Sequence, residues 1–118
     1  MTGRLTTHVL DTMAGRPAAG IAVSLFRLAG GERQAVIATK TDADGRCGAP
    51  LLENDAMTAG TYELYFQVAD YFTSRNVELP DPPFLDVVPI RFGIGDVSAH
   101  YHVPLLISPY GYSTYRGS

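Results

Sequence analysis

The sequence is divided into short runs of aliphatic, β-branched and aromatic residues, each closed by a cluster of Gly, Pro or Asp. Within a run the apolar residues alternate with others; over 61–68, for example, Tyr62, Leu64, Phe66 and Val68 share one side. Alternation with a period of two places one set of side chains on a single face of a strand. Because hydrophobic repeats with helical spacing are nearly absent, the pattern predicts an all-β sandwich or barrel.

The turn residues predict where each strand begins and ends. Gly30 and Gly31 separate two runs that we expect to form a hairpin. The segment 108–111 has Ser at its first position, Pro at its second and Gly at its fourth, which is typical of a type I turn. We therefore expect strands over 5–10, 21–28, 34–41, 61–68, 84–92, 100–107 and 112–118, with one short helix over 69–75.

Length and composition limit the class of protein. A chain of 118 residues is long enough to bury a core, and we expect a single domain over 1–118. A hydrophobic content of 46% excludes a disordered protein, and a net charge of -3 argues against a nucleic-acid partner. No stretch reaches the roughly 20 apolar residues of a membrane span. With no apolar leader before the first strand, the protein is expected to be cytoplasmic.

The run 100–107 is apolar on both faces. The set that we expect to face the core is Tyr101, Val103, Leu105 and Ile107. The opposite set is His100, His102, Pro104 and Leu106. A strand with two apolar faces is usually covered on both sides, and a strand proline is typical of an edge or a bulge. Because one sandwich covers only one face of each sheet, this strand predicts a subunit interface that contains histidines.

Three histidines are the side chains suited to acid-base chemistry at neutral pH. His8 shares a face of the first strand with Thr6, and His102 lies on the outward face of a strand that we expect to be its neighbour. Each alone is more often structural, but the pair is a candidate acid-base site. His100 either supports His102 or lies at the surface. The three together leave a zinc site as an alternative.

Arg46 follows the turn 42–45 and is either a solvated turn residue or a clamp for an anion, which a planar guanidinium suits. Cys47 is the one cysteine, so an internal disulfide is excluded. A lone cysteine is more often a small buried residue than a nucleophile. The terminal segment 115–118 carries Tyr, Arg and Ser directly after a hairpin, and its role is open on these grounds.

Several segments resemble a known family. The segments 5–11 and 15–18 resemble the opening signature of the 5-hydroxyisourate hydrolases, and 100–118 resembles their closing signature. The segments 41–46 and 84–94 also fit, so that the resemblance covers nearly the whole chain. It implies a transthyretin-like β-sandwich of two four-stranded sheets with one short helix. It also implies a homotetramer, a dimer of dimers, with active sites at the interface between dimers.

The implied activity is hydrolytic ring opening of 5-hydroxyisourate to 2-oxo-4-hydroxy-4-carboxy-5-ureidoimidazoline, in urate degradation, without a metal or other cofactor. The resemblance leaves open which histidine is the base, and it makes the zinc alternative remote. The alternatives are a transthyretin-type carrier of small ligands and an accessory β-sandwich without catalysis. The implied catalytic residues are His8, Arg46, His102, Tyr115 and Ser118. The implied substrate-binding residues are the same five together with Arg116 and Gly117.

Overall fold

Two β-sheets packed face to face form the structure, a computed structural model that describes residues 3–117. The strands are β1 (Arg4–Asp11), β2 (Arg16–Pro17), β3 (Ala22–Ala29), β4 (Glu32–Lys40), β5 (Leu52–Glu53), β6 (Gly60–Gln67), β7 (Val87–Ile94), β8 (His100–Ser108) and β9 (Gly111–Thr114). The helical segments are α1 (Val68–Ser74) and a 3₁₀ turn (Asn54–Ala56). The all-β sandwich with one short α-helix, expected from the sequence, is confirmed.

The first sheet has the strand order β2-β1-β8-β9, and the second has the order β4-β3-β6-β7. β1 and β8 run parallel, whereas the other pairs are antiparallel. The first sheet also gains β5, which pairs with the start of β1 through Leu5 and Leu52. The expected four-stranded sheet is therefore five-stranded, because the chain after the 42–46 turn runs back along β1.

The inward faces of the two sheets form one apolar core. The members of β8 predicted to face it are buried: Tyr101, Val103, Leu105 and Ile107. Val9 on β1, Leu25 on β3 and Phe66 on β6 are buried in the same core. Each such side chain stabilises the fold by roughly 1.5–3 kcal/mol relative to an exposed one. Among residues 3–117, no helix has the length and apolar character needed to cross a membrane.

Two predicted strand boundaries differ in the structure, and proline explains the second of them. The strand expected over 84–92 begins only at Val87, after the prolines of 80–83. The last strand, expected over 112–118, ends at Thr114. Its final partner on β8 is Leu105, and the next residue of β8 is Pro104, which has no N–H to continue the ladder. The Thr114 hydroxyl instead donates to the Pro104 carbonyl at 2.7 Å.

Candidate active site

Parallel pairing of β1 with β8 gathers the histidines on the outward face of the first sheet. In this register Thr6 lies opposite His102, and His8 lies opposite Pro104. Paired residues in a sheet project to the same face. His8 and His100 therefore share this face with Thr6 and His102, and all four are half-buried. The expectation that the strands carrying His8 and His102 are neighbours is confirmed.

The turn before Arg46 is fixed against β1. The Asp42 carboxylate accepts the Arg46 backbone N–H at 3.1 Å, which closes the turn. The Gly45 carbonyl accepts the Val9 N–H at 2.8 Å, and Arg46 forms a β-bridge with His8. Gly45 has a φ of +74°, and a side chain there would run into the Val9 carbonyl. The sequence Asp-x-x-Gly-Arg thus places Arg46 beside the first-strand histidine.

A cavity of about 510 Å³ opens on this face. Its walls are the outward sides of β1 and β8 and the segment 46–50. The polar residues that line it are Arg4, Thr6, Thr7, Arg46, His100 and His102. The Thr7 side chain itself is buried on the inward face, where its hydroxyl donates to the Val103 carbonyl. Arg4 and Thr6 are not among the predicted site residues, although each precedes His8 by an even number of positions. The spacing placed Thr6 on the face of His8 from the sequence and would have placed Arg4 there as well, but it does not show that either residue lines a cavity.

Thr6 contacts both histidines of β8. Its Oγ1 lies 2.8 Å from Nε2 of His100 and 2.8 Å from Nδ1 of His102. Within the part of the chain that the structure describes, Nε2 of His102 has no hydrogen-bond partner in the protein. The Thr6 hydroxyl therefore tethers the His102 ring through one nitrogen and leaves the other nitrogen unbonded.

Charges and burial keep His102 uncharged. Burial lowers its pKa below the ordinary value of 6.5, and the nearby positive charge of Arg46, followed by those of His100 and His8, lowers it further. The pKa of His100 is also lowered, by burial and then by the charge of Arg4. A neutral imidazole is the form that accepts a proton. At neutral pH the cavity therefore combines a neutral imidazole with two guanidinium groups.

Cys47 also lines the cavity, and burial, with the Asp42 carboxylate as the second cause, raises the pKa of its thiol. A raised pKa disfavours the thiolate, the form that acts as a nucleophile. Across residues 3–117, no three His, Cys, Asp or Glu side chains come together as a potential metal site. The neutral imidazole and the two guanidinium groups suit the cavity to proton transfer and to binding of electron-rich groups.

The residues at the chain end lie in two different places. The Gly117 N–H donates to the His102 carbonyl at 2.7 Å, and Gly117 packs against the His102 ring. The Arg116 guanidinium instead lies 4.3 Å from the centre of the Tyr101 ring. Arg116 and Tyr115 line a separate cavity of about 250 Å³ between the edge strands β7 and β9. Ser118, also predicted as a site residue, lies outside the described residues.

Comparisons with known proteins agree with this architecture. The chain matches the HIUase/Transthyretin family over residues 5–117. The 5-hydroxyisourate hydrolase 2 of Rhizobium meliloti (strain 1021) is 59% identical over 117 residues, which cover 99% of this chain and 98% of that relative.

Two solved structures have the same fold. The crystal structure of (S)-allantoin synthase superposes with a TM-score of 0.95 at 46% identity over 99% of this chain, which spans only 44% of that protein. Sea bream transthyretin, solved in complex with thyroxine, superposes with a TM-score of 0.86 at 28% identity, over 97% of this chain and 94% of that one. The fold and the cavity define a transthyretin-type β-sandwich with a histidine–arginine site on one sheet. The chain belongs to the HIUase/Transthyretin family.

Proposed function

We propose that this protein hydrolyses 5-hydroxyisourate, opening its six-membered ring in the breakdown of urate. The observation that carries the proposal is a neutral His102 on the wall of the same cavity as Arg46. The Rhizobium meliloti hydrolase, at 59% identity, supports this activity over that of a carrier, since the transthyretin that binds thyroxine is 28% identical. Two arginines in the cavity also suit an electron-rich heterocycle better than a hydrophobic ligand.

His102 is the proposed general base. Its depressed pKa keeps it neutral, and its Nε2, which has no hydrogen-bond partner among residues 3–117, can take a proton from water. The water oxygen then bonds to the ring carbonyl carbon beside a ring nitrogen, and a tetrahedral intermediate forms. When the carbon–nitrogen bond breaks, the same imidazole returns the proton to the leaving nitrogen. General acid-base catalysis of this kind contributes roughly a hundredfold to ten-thousandfold to the rate. His8, bridged to Arg46, is proposed to assist in binding and proton transfer.

Arg46 is the proposed stabiliser of negative charge. Its backbone is held by Asp42 and by the bridge to His8, so the point from which the Arg46 side chain projects is fixed before substrate binds. A preorganised donor aimed at a developing oxyanion is worth roughly 3–4 kcal/mol. The guanidinium is also attracted to the electron-rich substrate in the ground state. Arg46 is therefore proposed to act in binding and in catalysis.

The assembly is proposed to be a homotetramer, a dimer of dimers, in the cytoplasm. The outward face of the first sheet carries half-buried His8, His102 and Leu106, which a single sandwich leaves partly uncovered. We propose that a second pair of subunits covers this face and completes each site. The terminal residues Tyr115–Ser118 are proposed to belong to it, with Tyr115 and Ser118 in catalysis and Arg116 and Gly117 in binding. No metal or other cofactor takes part in this scheme, and residues 1–118 act as one domain.

The activity is tested by an ultraviolet assay with freshly generated 5-hydroxyisourate. The wild-type protein should accelerate its disappearance, and His102→Asn and Arg46→Lys should each reduce kcat/KM by about a hundredfold or more. Because both side chains face a cavity, the melting temperatures should stay close to that of the wild type. An inactive wild type that binds thyroxine would instead support the carrier. A variant with full turnover would remove its residue from the mechanism.

The role of the chain end is tested by deleting Tyr115–Ser118 and measuring turnover and sedimentation. Among the described residues, the deleted segment makes a backbone hydrogen bond at Gly117 and places Arg116 over Tyr101. Losing these contacts should cost about 1–2 kcal/mol of unfolding free energy, so the truncated protein should fold. Its activity should nearly vanish. Full activity of the truncated protein, or of a wild-type monomer, would contradict the proposal.

A further inference from the structure

We propose that Thr6 is a positioning residue that holds His102 in the tautomer protonated on Nδ1, with Nε2 left free as the base. Thr6 accepts the His102 Nδ1–H and donates its own hydroxyl proton to Nε2 of His100. The inference deepens the proposed function and rests on it, because it takes the assignment of His102 as the base. It adds Thr6 and His100 to the residues that act in the reaction.

The number of protons available limits the hydrogen bonds between Thr6 and the two histidine rings. A threonine hydroxyl donates one hydrogen bond and accepts others, and a neutral imidazole carries one N–H. The Thr6 oxygen lies 2.8 Å from each of the two ring nitrogens. Since the hydroxyl donates only once, both contacts are hydrogen bonds only when at least one of the two rings donates to Thr6. The tautomers of His100 and His102 are therefore coupled through Thr6.

Three arrangements satisfy this coupling: either ring donates while the other accepts, or both rings donate and the Thr6 proton has no acceptor among residues 3–117. Because the third leaves a hydrogen bond unmade, we take one ring as the donor and the other as the acceptor, and only one of these two arrangements leaves His102 as a base. If Thr6 donates to Nδ1 of His102, the single imidazole proton is on Nε2, which is then unable to accept a proton from water. If Nδ1–H of His102 donates to Thr6, Nε2 is unprotonated. Nε2 is also the nitrogen of His102 without a partner among residues 3–117. The second arrangement requires an unprotonated Nε2 on His100, which keeps its proton on Nδ1.

The same contact orients the ring during the reaction. When Nε2 takes a proton from water, His102 becomes an imidazolium, and its Nδ1–H still donates to the Thr6 oxygen. The proton on Nε2 then passes to the leaving nitrogen, so that the resting tautomer returns and no further proton donor is needed. The hydrogen-bond partner of the second ring nitrogen commonly sets which nitrogen carries the proton. A hydroxyl on the neighbouring strand performs this role here.

The tautomer is measured directly by two-dimensional ¹H–¹⁵N NMR of the imidazole nitrogens, with no substrate present. In the wild-type protein at neutral pH, Nδ1 of His102 and Nδ1 of His100 should be protonated, and Nε2 of each should be unprotonated. Loss of the corresponding signals in His102→Asn assigns them. This measurement tests the inference even if 5-hydroxyisourate turns out not to be a substrate. A protonated Nε2 on His102 would overturn the inference.

Substitution of Thr6 separates positioning from substrate binding. Thr6→Val keeps the shape and removes the hydroxyl, so the single tautomer should be lost and kcat should fall about 10–100-fold with KM unchanged. Thr6→Ser restores the hydroxyl and should recover both. Thr12→Val is the matched control, because Thr12 also donates to β8, through the Ile107 carbonyl at 2.9 Å, away from the cavity. It should leave the tautomer and kcat unchanged.

Each other outcome contradicts the inference. If Thr6→Val keeps the wild-type tautomer and kcat, Thr6 does not position His102. If Thr6→Val raises KM and leaves kcat unchanged, Thr6 binds the substrate directly. If Thr6→Ser stays as impaired as Thr6→Val, the methyl group rather than the hydroxyl accounts for the effect.

Discussion

Replacing Gly117 with alanine tests how closely the chain end controls His102. A Cβ at Gly117 would lie 2.8 Å from Cδ2 of the His102 ring and 3.3 Å from its Cγ and Cβ. Ordinary carbon contacts begin near 3.4 Å, so the ring or the chain end must move by about 0.6 Å. If the ring moves, its bond to Thr6 lengthens from 2.8 Å. If the chain end moves, the Gly117 bond to the His102 carbonyl is lost.

Movement of either the His102 ring or the chain end should cause a small loss of stability and a larger loss of kcat. Rotating a side chain away from its rotamer or losing one hydrogen bond costs about 1 kcal/mol. A misplacement of catalytic groups that approaches 1 Å costs up to about a hundredfold in rate. We therefore expect kcat of Gly117→Ala to fall by about tenfold or more while the melting temperature changes by a few degrees.

The assay is turnover of 5-hydroxyisourate followed in the ultraviolet, with a thermal melt of the same preparation. Gly95→Ala is the matched control, since a Cβ at Gly95 would meet nothing within 4 Å. The control should keep wild-type kcat and melting temperature. Wild-type kcat in a folded Gly117→Ala protein would refute the reasoning, because it would show that the His102 position is not set by the chain end.

The pKa of His102, the metal-free scheme and the hydrogen bond between Tyr71 and Asp11 can each be tested. Because burial and the charge of Arg46 lower the pKa of His102 below 6.5, the decline of kcat/KM at acid pH, where the imidazole gains a proton, should have its midpoint below pH 6.5; a midpoint above 6.5 would contradict this. Dialysis against EDTA should leave kcat unchanged, and activity that is lost and then restored by zinc would indicate a metal centre. Tyr71→Phe should lower the unfolding free energy by about 1–3 kcal/mol in urea without changing kcat, since the Tyr71 hydroxyl donates to the buried Asp11 carboxylate at 2.8 Å; unchanged stability would show that this bond contributes nothing.

The alternation of apolar residues was enough to predict the class of fold and the core face of most strands. Period-two spacing is a local property, so Tyr101 and Leu105 were identified as core residues from their own strand alone. The outward side of His102 follows from the same spacing. The turn residues likewise placed the hairpin after β3, where Gly30 and Gly31 separate the two strands.

The residue at which β9 ends depends on its pairing with the neighbouring strand β8. The sequence near Tyr112 predicts a strand to residue 118, but the missing N–H of Pro104 on the neighbouring strand interrupts the ladder after Thr114, and a single bridge between Gly117 and His102 continues it in the same register. Tyr115 and Arg116 consequently lie at the edge between the sheets, while Gly117 reaches the His102 ring. Such pairing is not encoded within either strand.

The sequence by itself determined that His8 and His102 project from outward strand faces and that Arg46 follows a tight turn. Only the tertiary structure decided that β1 lies parallel to β8 with Thr6 opposite His102, and that the turn folds back onto β1. Register between strands far apart in the chain is set by how the whole core packs, because a slip of one residue would turn every side chain to the other face. For that reason the bond between Thr6 and His102 cannot be read from either strand alone and follows only from the register in which β1 pairs with β8.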